Sequence, residues 1–584
     1  MEVAKVDYKN FLHNQGLKLI VWAIWAFTNI YLFISTFLEC EQSAKYRYMF
    51  LVCGYSFCVA RASASALNFN CALILIPMCR CIMTWVRVKI FKHLHSNQRR
   101  LLNHLKGLHI LCAHSTCFFG LIHTISHLVN YFRMKSNSSK LLPHLMPVFS
   151  VSDMPIWSFL RKTIPGSTGV AMTLVLVLVI LTSIHAVRRK KYEVFWYSHH
   201  LSLCFLILMA VHGFGDFTKI QTNINSHGVH CANITHPVQN LTSCPEQPSF
   251  KHKDASTWKW LIGPFLLYAF DRLLRLYRGL KVCAITKVTL HEGNVIEIQM
   301  YKKDFKAKPG SYVLIQCPDI ANFQWHAFTL TKCPENGENQ DPTFSVHIKI
   351  SGDWTMRLFD HLSKSLDICG HQLKIFGDTC VLDIDKFHSN VKERADNDEQ
   401  LPVIYVDGPY GSPNEDVFRY PVNISIAAGI GITPFAAILN DLRKLTLNKL
   451  HKNFKMKRMY LIWTCRDVKD FTWFLDLIID TMKHLVEEDL SDLLVFQLHV
   501  TRKTAATISD VSKVDETVEL FKKKLKFGRP DFNELFGEIA LFHHKQRIGV
   551  FYCGPKPIAP ILYESCTSTK VQGNTFIFHK ESFA

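Results

Sequence analysis

The sequence predicts a multi-domain chain: a six-helix transmembrane bundle, then a small β-barrel, then an α/β domain. Three observations carry that prediction. The 584 residues are about twice what one hydrophobic core supports. Long apolar stretches crowd into the first 280 residues, at roughly 17–38, 49–76, 108–130, 169–187, 198–213 and 257–277, and most reach the ~20 residues that cross a bilayer. Beyond 282 the apolar runs shorten to strand length and alternate with Gly/Pro-rich turns. The expected divisions are 1–281, 282–400 and 401–584.

The first span follows Lys5, Lys9 and Lys18 and lacks a small-residue cleavage site, so it reads as a retained helix. Six Lys/Arg and no acid occupy 86–107, and four Lys/Arg each occupy 185–194 and 271–281. Basic residues in alternate loops place those loops, and with them the N- and C-termini, in the cytosol. The glycosylation sequons at Asn137, Asn233 and Asn240 all fall in the loops left outside. The net charge of +19 then reads as loops facing anionic lipid, with no nucleic-acid partner needed. Most of the 19 cysteines sit in apolar spans or the cytosolic half; Cys231 and Cys244, in one outer loop, are the candidate disulfide.

Imidazole is costly inside hydrocarbon unless something pairs with it. The third span carries His109 and His123, 14 residues apart, and the fifth carries His199 and His212, 13 apart. At 1.5 Å per residue these separations are about 21 and about 20 Å, so each helix offers one histidine near each membrane face. Both spans start in the cytosol and run parallel, so His109 can face His199 and His123 can face His212. Two stacked imidazole pairs are what two six-coordinate haems require. His114, His127, His185 and His200 lie nearby as alternative ligands. Thirteen steps of an ideal helix leave His212 about 140° from His199, so a tightened or distorted turn is expected between Leu201 and Val211.

In the cytosolic half, VIEIQMYKK and SYVLIQCP predict antiparallel strands, followed by HAFTLT (326–331) and SVHIKISGDW (345–354). Hydroxyls, a cation and free amides at strand ends would suit a flavin. From 401, LPVIYVDGPYGSP, then NISIAAGIGITPFAAILNDL, RMYLIWTCRD and RIGVFYCGPKP, read as strands ending in Gly/Pro or polar turns. Such turns favour a nucleotide at the carboxyl edge of a parallel sheet. Gly429 and Gly431 precede Pro434 rather than a third glycine, so the dinucleotide fingerprint is partial.

The paired histidines, HAFTLT, DGPYGSP, AAGIGITPF, WTCRD, FYCGP and the aromatic after KES together resemble the NADPH oxidase family of transmembrane flavocytochromes b, over nearly the whole chain. The resemblance implies a ferredoxin-reductase-like cytosolic half. It also implies electron flow from NADPH through FAD and two b-type haems to dioxygen, giving hydrogen peroxide or superoxide. His109, His199, His123 and His212 match the haem-iron ligands, and Arg61, His127 and His227 match oxygen-site and proton-donating positions. His326, Phe328, Thr329 and Lys349 resemble the flavin site, and Phe583 the aromatic that covers the flavin. Gly408, Pro409, Gly429, Gly431, Thr433, Cys553 and Gly554 resemble the nicotinamide nucleotide site, with Arg466 and Arg529 as 2′-phosphate partners. The resemblance further implies the small p22 subunit of cytochrome b as membrane partner, constitutive activity, and residence in the endoplasmic reticulum or plasma membrane. Two other readings compete: an NADPH-dependent ferric reductase of the same plan, and a non-catalytic cytochrome or proton channel.

Overall fold

A computed structural model describes residues 7–90, 99–136, 145, 155–215, 217–231, 246–291, 293–335, 342–368, 374–376, 379–383, 402–447, 454–502, 524–569 and 573–581. They form two compact units. One comprises Ile20–Cys79 and His104–Arg272; the other comprises the chain up to Leu19, Arg80–Asn103, and everything from Leu273.

The first unit is helical. Among the described residues five helical stretches are long and apolar enough to cross a membrane: Tyr8–Gln42, Tyr55–Met78, Arg100–Ser136, Ile164–Ser183 and Tyr192–His212. The sixth expected span is the helix Thr257–Gly279, whose Lys259, Asp271, Arg272, Arg275 and Arg278 make it more polar than the others. The helix Tyr55–Leu75 is the inner one, burying Cys58, Ala60, Ala62, Ser63, Ala66 and Cys71. Side chains that small allow the helix Leu105–Ser136 to approach closely. Asn70 amide donates to Asn29 at 2.6 Å and accepts from Trp25 at 3.0 Å, which satisfies polar groups that hydrocarbon could not. Leu121, Phe118 and Leu174 are exposed, as lipid-facing side chains must be.

In the second unit six antiparallel strands close a barrel: Val282–His291, Val295–Tyr301, Phe344–Lys349, His326–Lys332, Tyr312–Gln316 and Ile404–Tyr410. Closure comes from Ile404–Tyr410, which pairs with both Tyr312–Gln316 and Val282–His291. Alternation sends Val288, Ile296, Ile298, Val313, Leu330, Val346 and Ile348 inward, and the helix Asp353–Ile368 adds Trp354, Leu358 and Leu362 to that core. The strand read from LPVIYVDGPY as the start of the α/β domain therefore belongs to the barrel. Ile404–Tyr410 lies beyond the division expected at 401 and pairs with barrel strands. A local reading of an apolar run cannot tell which sheet it joins.

Six parallel strands follow in the order Leu525–Phe527, Leu494–Val500, Arg458–Cys465, Val422–Ala428, Arg547–Cys553 and Thr575–Glu581. The helices Thr433–Leu447 and Leu475–Glu487 pack on one face, and Phe532–Phe542 and Ile558–Ser568 on the other. This is a doubly wound sheet.

The basic segment after residue 80 is only partly a lipid-facing loop. Arg87, Arg99 and Arg100 are buried in the second unit. Arg99 pairs with Asp416 at 3.3 Å, Arg87 donates to Ser412 carbonyl at 3.3 Å, and Arg100 donates to the carbonyls of His13 and Phe578 at 2.7 and 3.3 Å. Half of the six cations thus hold the fold together and do not face lipid headgroups.

Candidate functional site

Two imidazole pairs form between the third and fifth spans. The ring centroids of His109 and His199 lie 6.1 Å apart, and those of His123 and His212 lie 6.0 Å apart. Such spacing admits one metal ion bonded to a nitrogen of each ring at about 2 Å. Every Nδ1 already has a partner: His109 with Ile74 carbonyl at 3.0 Å, His123 with Ala60 carbonyl at 2.9 Å, His212 with Thr168 hydroxyl at 3.0 Å, and His199 with Ser183 hydroxyl at 3.4 Å. With Nδ1 engaged, Nε2 is the ligand atom left on all four rings, and the orientation is held by the neighbours. The donor set fits two bis-histidine haems. Thr168 and Ser183 were invisible to sequence reasoning, because only the packing of the helix Ile164–Ser183 on the fifth span brings them there.

The expected distortion exists but sits one residue earlier. The fifth span divides into Tyr192–His199 and Leu201–His212. Around His200 the bonds tighten to i−3: His200 amide to Tyr197 carbonyl at 3.2 Å, and Leu203 amide to His200 carbonyl at 3.0 Å. His200 also turns its own Nδ1 to Trp196 carbonyl at 2.7 Å, away from the pairs. The overwound turn adds about 20° per residue, rotation in the sense that thirteen ideal steps lack.

His127 stacks edge-on against His123 with centroids 4.5 Å apart. Arg61 lies within electrostatic reach of both, and its Nε is buried without a partner among the described residues. An orphaned guanidinium N–H in apolar surroundings fits an anionic group such as a haem propionate. His227 stands apart from this group. Its ring is buried under the outer-loop strands Lys219–Gln221 and Phe250–His252. Nδ1 meets Glu246 carbonyl at 2.8 Å and Nε2 meets Tyr48 hydroxyl. Cys231 is disulfide-bonded; Cys244, Asn137, Asn233 and Asn240 lie outside the described residues.

On the barrel, His326 stacks on Trp354 with centroids 4.2 Å apart and Phe328 follows at 6.0 Å. Thr329 hydroxyl and Trp354 Nε1 are buried without partners among the described residues. Aromatic walls with unpaired donors fit a flavin ring. Trp354 was missed as a site residue although SGDW was in view, since a tryptophan beginning a helix reads first as core. Lys349 reaches toward Trp473, its Nζ 5.3 Å from the ring centroid. Phe583 lies outside the described residues. Gly408 and Pro409 are on the barrel's closing strand, where Asp407 accepts from Arg275 and Arg278, both at 2.7 Å, and from Tyr410 at 2.5 Å.

The remaining nucleotide candidates gather at the carboxyl edge of the parallel sheet. Gly429 and Gly431 end one strand, Gly554 ends its neighbour, and Arg466 ends the strand on the other side. A Cβ on Gly431 would sit 2.2 Å from Cys553 carbonyl, so only glycine lets these two turns touch. Thr433 opens the helix Thr433–Leu447, whose first amides face the turn. Arg466 and the more distant Arg529 are exposed. Cys553 is wholly buried and burial drives its thiol far above the usual range, so its contribution to the turn is its backbone.

Two imidazole pairs in a membrane bundle, in one chain with a flavin-type barrel and a nucleotide-type sheet, define a transmembrane flavin- and haem-linked oxidoreductase. Three family models match in chain order: "Ferric reductase like transmembrane component" over residues 65–210, "FAD-binding domain" over 280–414, and "Ferric reductase NAD binding domain" over 422–567. NADPH oxidase 4 of Pongo abelii is 35% identical over 610 residues, covering 99% of this chain and 100% of the relative. NADPH oxidase 4 of Homo sapiens is 34% identical over the same span, and human NADPH oxidase 3 is 34% identical over 595 residues, covering 98% and 99%. The chain belongs to the NADPH oxidase family. It is a multi-pass membrane enzyme, a transmembrane NADPH oxidase that uses FAD and two haems, with oxygen as acceptor.

Proposed function

We propose that this oxidase takes electrons from NADPH on the cytosolic side, where both termini lie, and releases hydrogen peroxide, superoxide or both on the other. The observation that carries the reading is the pair of imidazole pairs, each ring fixed through Nδ1. Bound FAD would supply hydride acceptance from NADPH and single-electron release, and two bound haems would supply electron relay across the membrane. His109 with His199 and His123 with His212 would hold one haem iron each through their Nε2 atoms. Beside the His123–His212 pair, the Arg61 charge would favour an anion formed from oxygen and His127 would add a second polar edge. His227 would pass a proton through Tyr48, since both of its ring nitrogens are engaged. Thr329, Phe328, His326 and Trp354 seat the flavin ring, Lys349 its pyrophosphate, and Phe583 covers it. Gly429, Gly431, Thr433 and Gly554 with Gly408 and Pro409 receive the nicotinamide nucleotide, and Arg466 and Arg529 its 2′-phosphate.

The corresponding division is a di-haem bundle to residue 281, a barrel to about 414 and a nucleotide domain thereafter. By family likeness the membrane partner is the p22 subunit, and the compartment is the endoplasmic reticulum or plasma membrane. The test is an anaerobic addition of NADPH to purified protein with FAD and p22, followed by oxygen. Haem reduction, rapid reoxidation and peroxide or superoxide output are expected. Haem that stays reduced in oxygen but discharges to a ferric chelate would make the chain a reductase.

A further inference from the structure

Three residues outside the electron path converge on the outer face of the barrel. His291 ends the strand Val282–His291, and Glu297 and His347 are direct cross-strand neighbours on the next two strands. Neighbouring Ile296, Ile298, Val346 and Ile348 point into the core, so the alternation of the strands sends Glu297 and His347 to the opposite face. One Glu297 carboxylate oxygen lies 3.6 Å from His291 Nε2 and 3.9 Å from His347 Nε2. The three ligand atoms all fall within 4.8 Å of one another, and among the described residues no other such cluster occurs.

These separations are too long for hydrogen bonds. They are close to the ~3.4 Å that separates two ligand atoms bonded at about 2.1 Å to one tetrahedral ion. His291 Nε2 is buried with no hydrogen-bond partner among the described residues. The two rings are stacked, 5.2 Å apart and 23° from parallel, and both Nε2 atoms approach the same Glu297 oxygen. His347 Nδ1 meets Thr331 hydroxyl at 3.0 Å, which leaves Nε2 as its ligand atom, the orientation a buried neighbour gives a metal-binding histidine.

We propose that His291, Glu297 and His347 bind a divalent transition-metal ion. Two imidazoles and one carboxylate suit Zn²⁺, with a fourth position for water. The site lies against the segment Val468–Phe474: the His347 ring packs on Phe474 at 4.3 Å, and a Cβ on Gly293 would stand 3.0 Å from Asp470 and 3.1 Å from Trp473. An ion here would draw three ligands together on the barrel face that this segment of the nucleotide domain rests on. Its effect is structural or inhibitory, and separate from the haem irons.

The test is equilibrium dialysis of full-length, FAD-loaded protein against Zn²⁺, with zinc and iron counted by mass spectrometry for the wild type, His291→Gln and Glu297→Gln. Haem absorbance and FAD content of each protein check folding. The wild type is expected to hold one more zinc per two irons than either variant. Zn²⁺, but not Mg²⁺, should raise its thermal midpoint by more than it raises theirs. Equal zinc uptake in all three, or a wild type that zinc does not stabilise, would overturn the site and leave a carboxylate between two histidines as its only content.

Discussion

At the scale of single residues, the proposed haem ligands depend on neighbours that differ in quality. Thr168 holds His212 Nδ1 at 3.0 Å, whereas Ser183 holds His199 at only 3.4 Å. Removing such a partner weakens metal binding by about 10–100-fold. Thr168→Val should therefore lower the haem content of purified protein toward one per chain, and Ser183→Ala should lower it less, as read by haem extraction and absorbance. Glu581 offers a different test. It is buried beside Ser412 and Asn414, and burial raises its carboxyl to about 8 from 4.5. Between those values the folded protein binds the proton that the unfolded chain releases. Its stability contribution is thus complete below about 4.5 and is lost as pH rises through about 8. Glu581→Gln, which stays neutral, should show a smaller fall in thermal midpoint between about pH 6 and about pH 9.

At the scale of elements, the legible features were those with a short-range period. Spacing along two helices was enough to pair His109 with His199 and His123 with His212, and to require an irregular turn. It could not put that turn at His200, because the tightening answers to packing that a one-dimensional pattern does not contain. LPVIYVDGPY showed a strand but not its sheet, since barrel and parallel sheet ask the same alternation of it. The Gly/Pro-rich turns were legible because their chemistry is local. Gly431 makes that concrete: an added Cβ would meet Cys553 carbonyl and part the two turns. Gly431→Ala should slow NADPH-driven flavin reduction on the order of 100-fold, the effect of an ångström-scale misplacement, while bound FAD and the haem spectrum stay unchanged. Stopped-flow absorbance separates these outcomes.

At the scale of the molecule, the second unit is assembled from three distant stretches of chain, tied by charges buried among backbone carbonyls. Asp416 is fully buried and faces Arg99 at 3.3 Å, with Arg87 at 3.9 Å and Arg419 at 3.2 Å. Among the described residues, removing this carboxylate leaves Arg87 and Arg99 with only Glu415, 3.8 Å from Arg99, and breaking a buried pair in this way costs about 3–5 kcal/mol. Asp416→Ala should lower the thermal midpoint and make the 80–103 segment sensitive to protease before the haem bundle is lost. None of this was legible beforehand: six cations without an acid describe a loop facing lipid as well as they describe a buried clasp, and only the partners distinguish the two.

The first residues of the chain take part in that clasp. Asn14 accepts from Phe578 amide and donates to Phe576 carbonyl, both at 2.8 Å, so one side chain covers part of the open edge of the last strand. The partners are 564 residues apart. A ribosome adding roughly 5–20 residues per second needs about half a minute to two minutes to cover that distance. Throughout that interval the leading segment has emerged and its docking strand does not exist. That edge of the nucleotide sheet can be covered only after Phe576 and Phe578 are made, so the segment around Asn14 waits for a strand encoded far downstream of it.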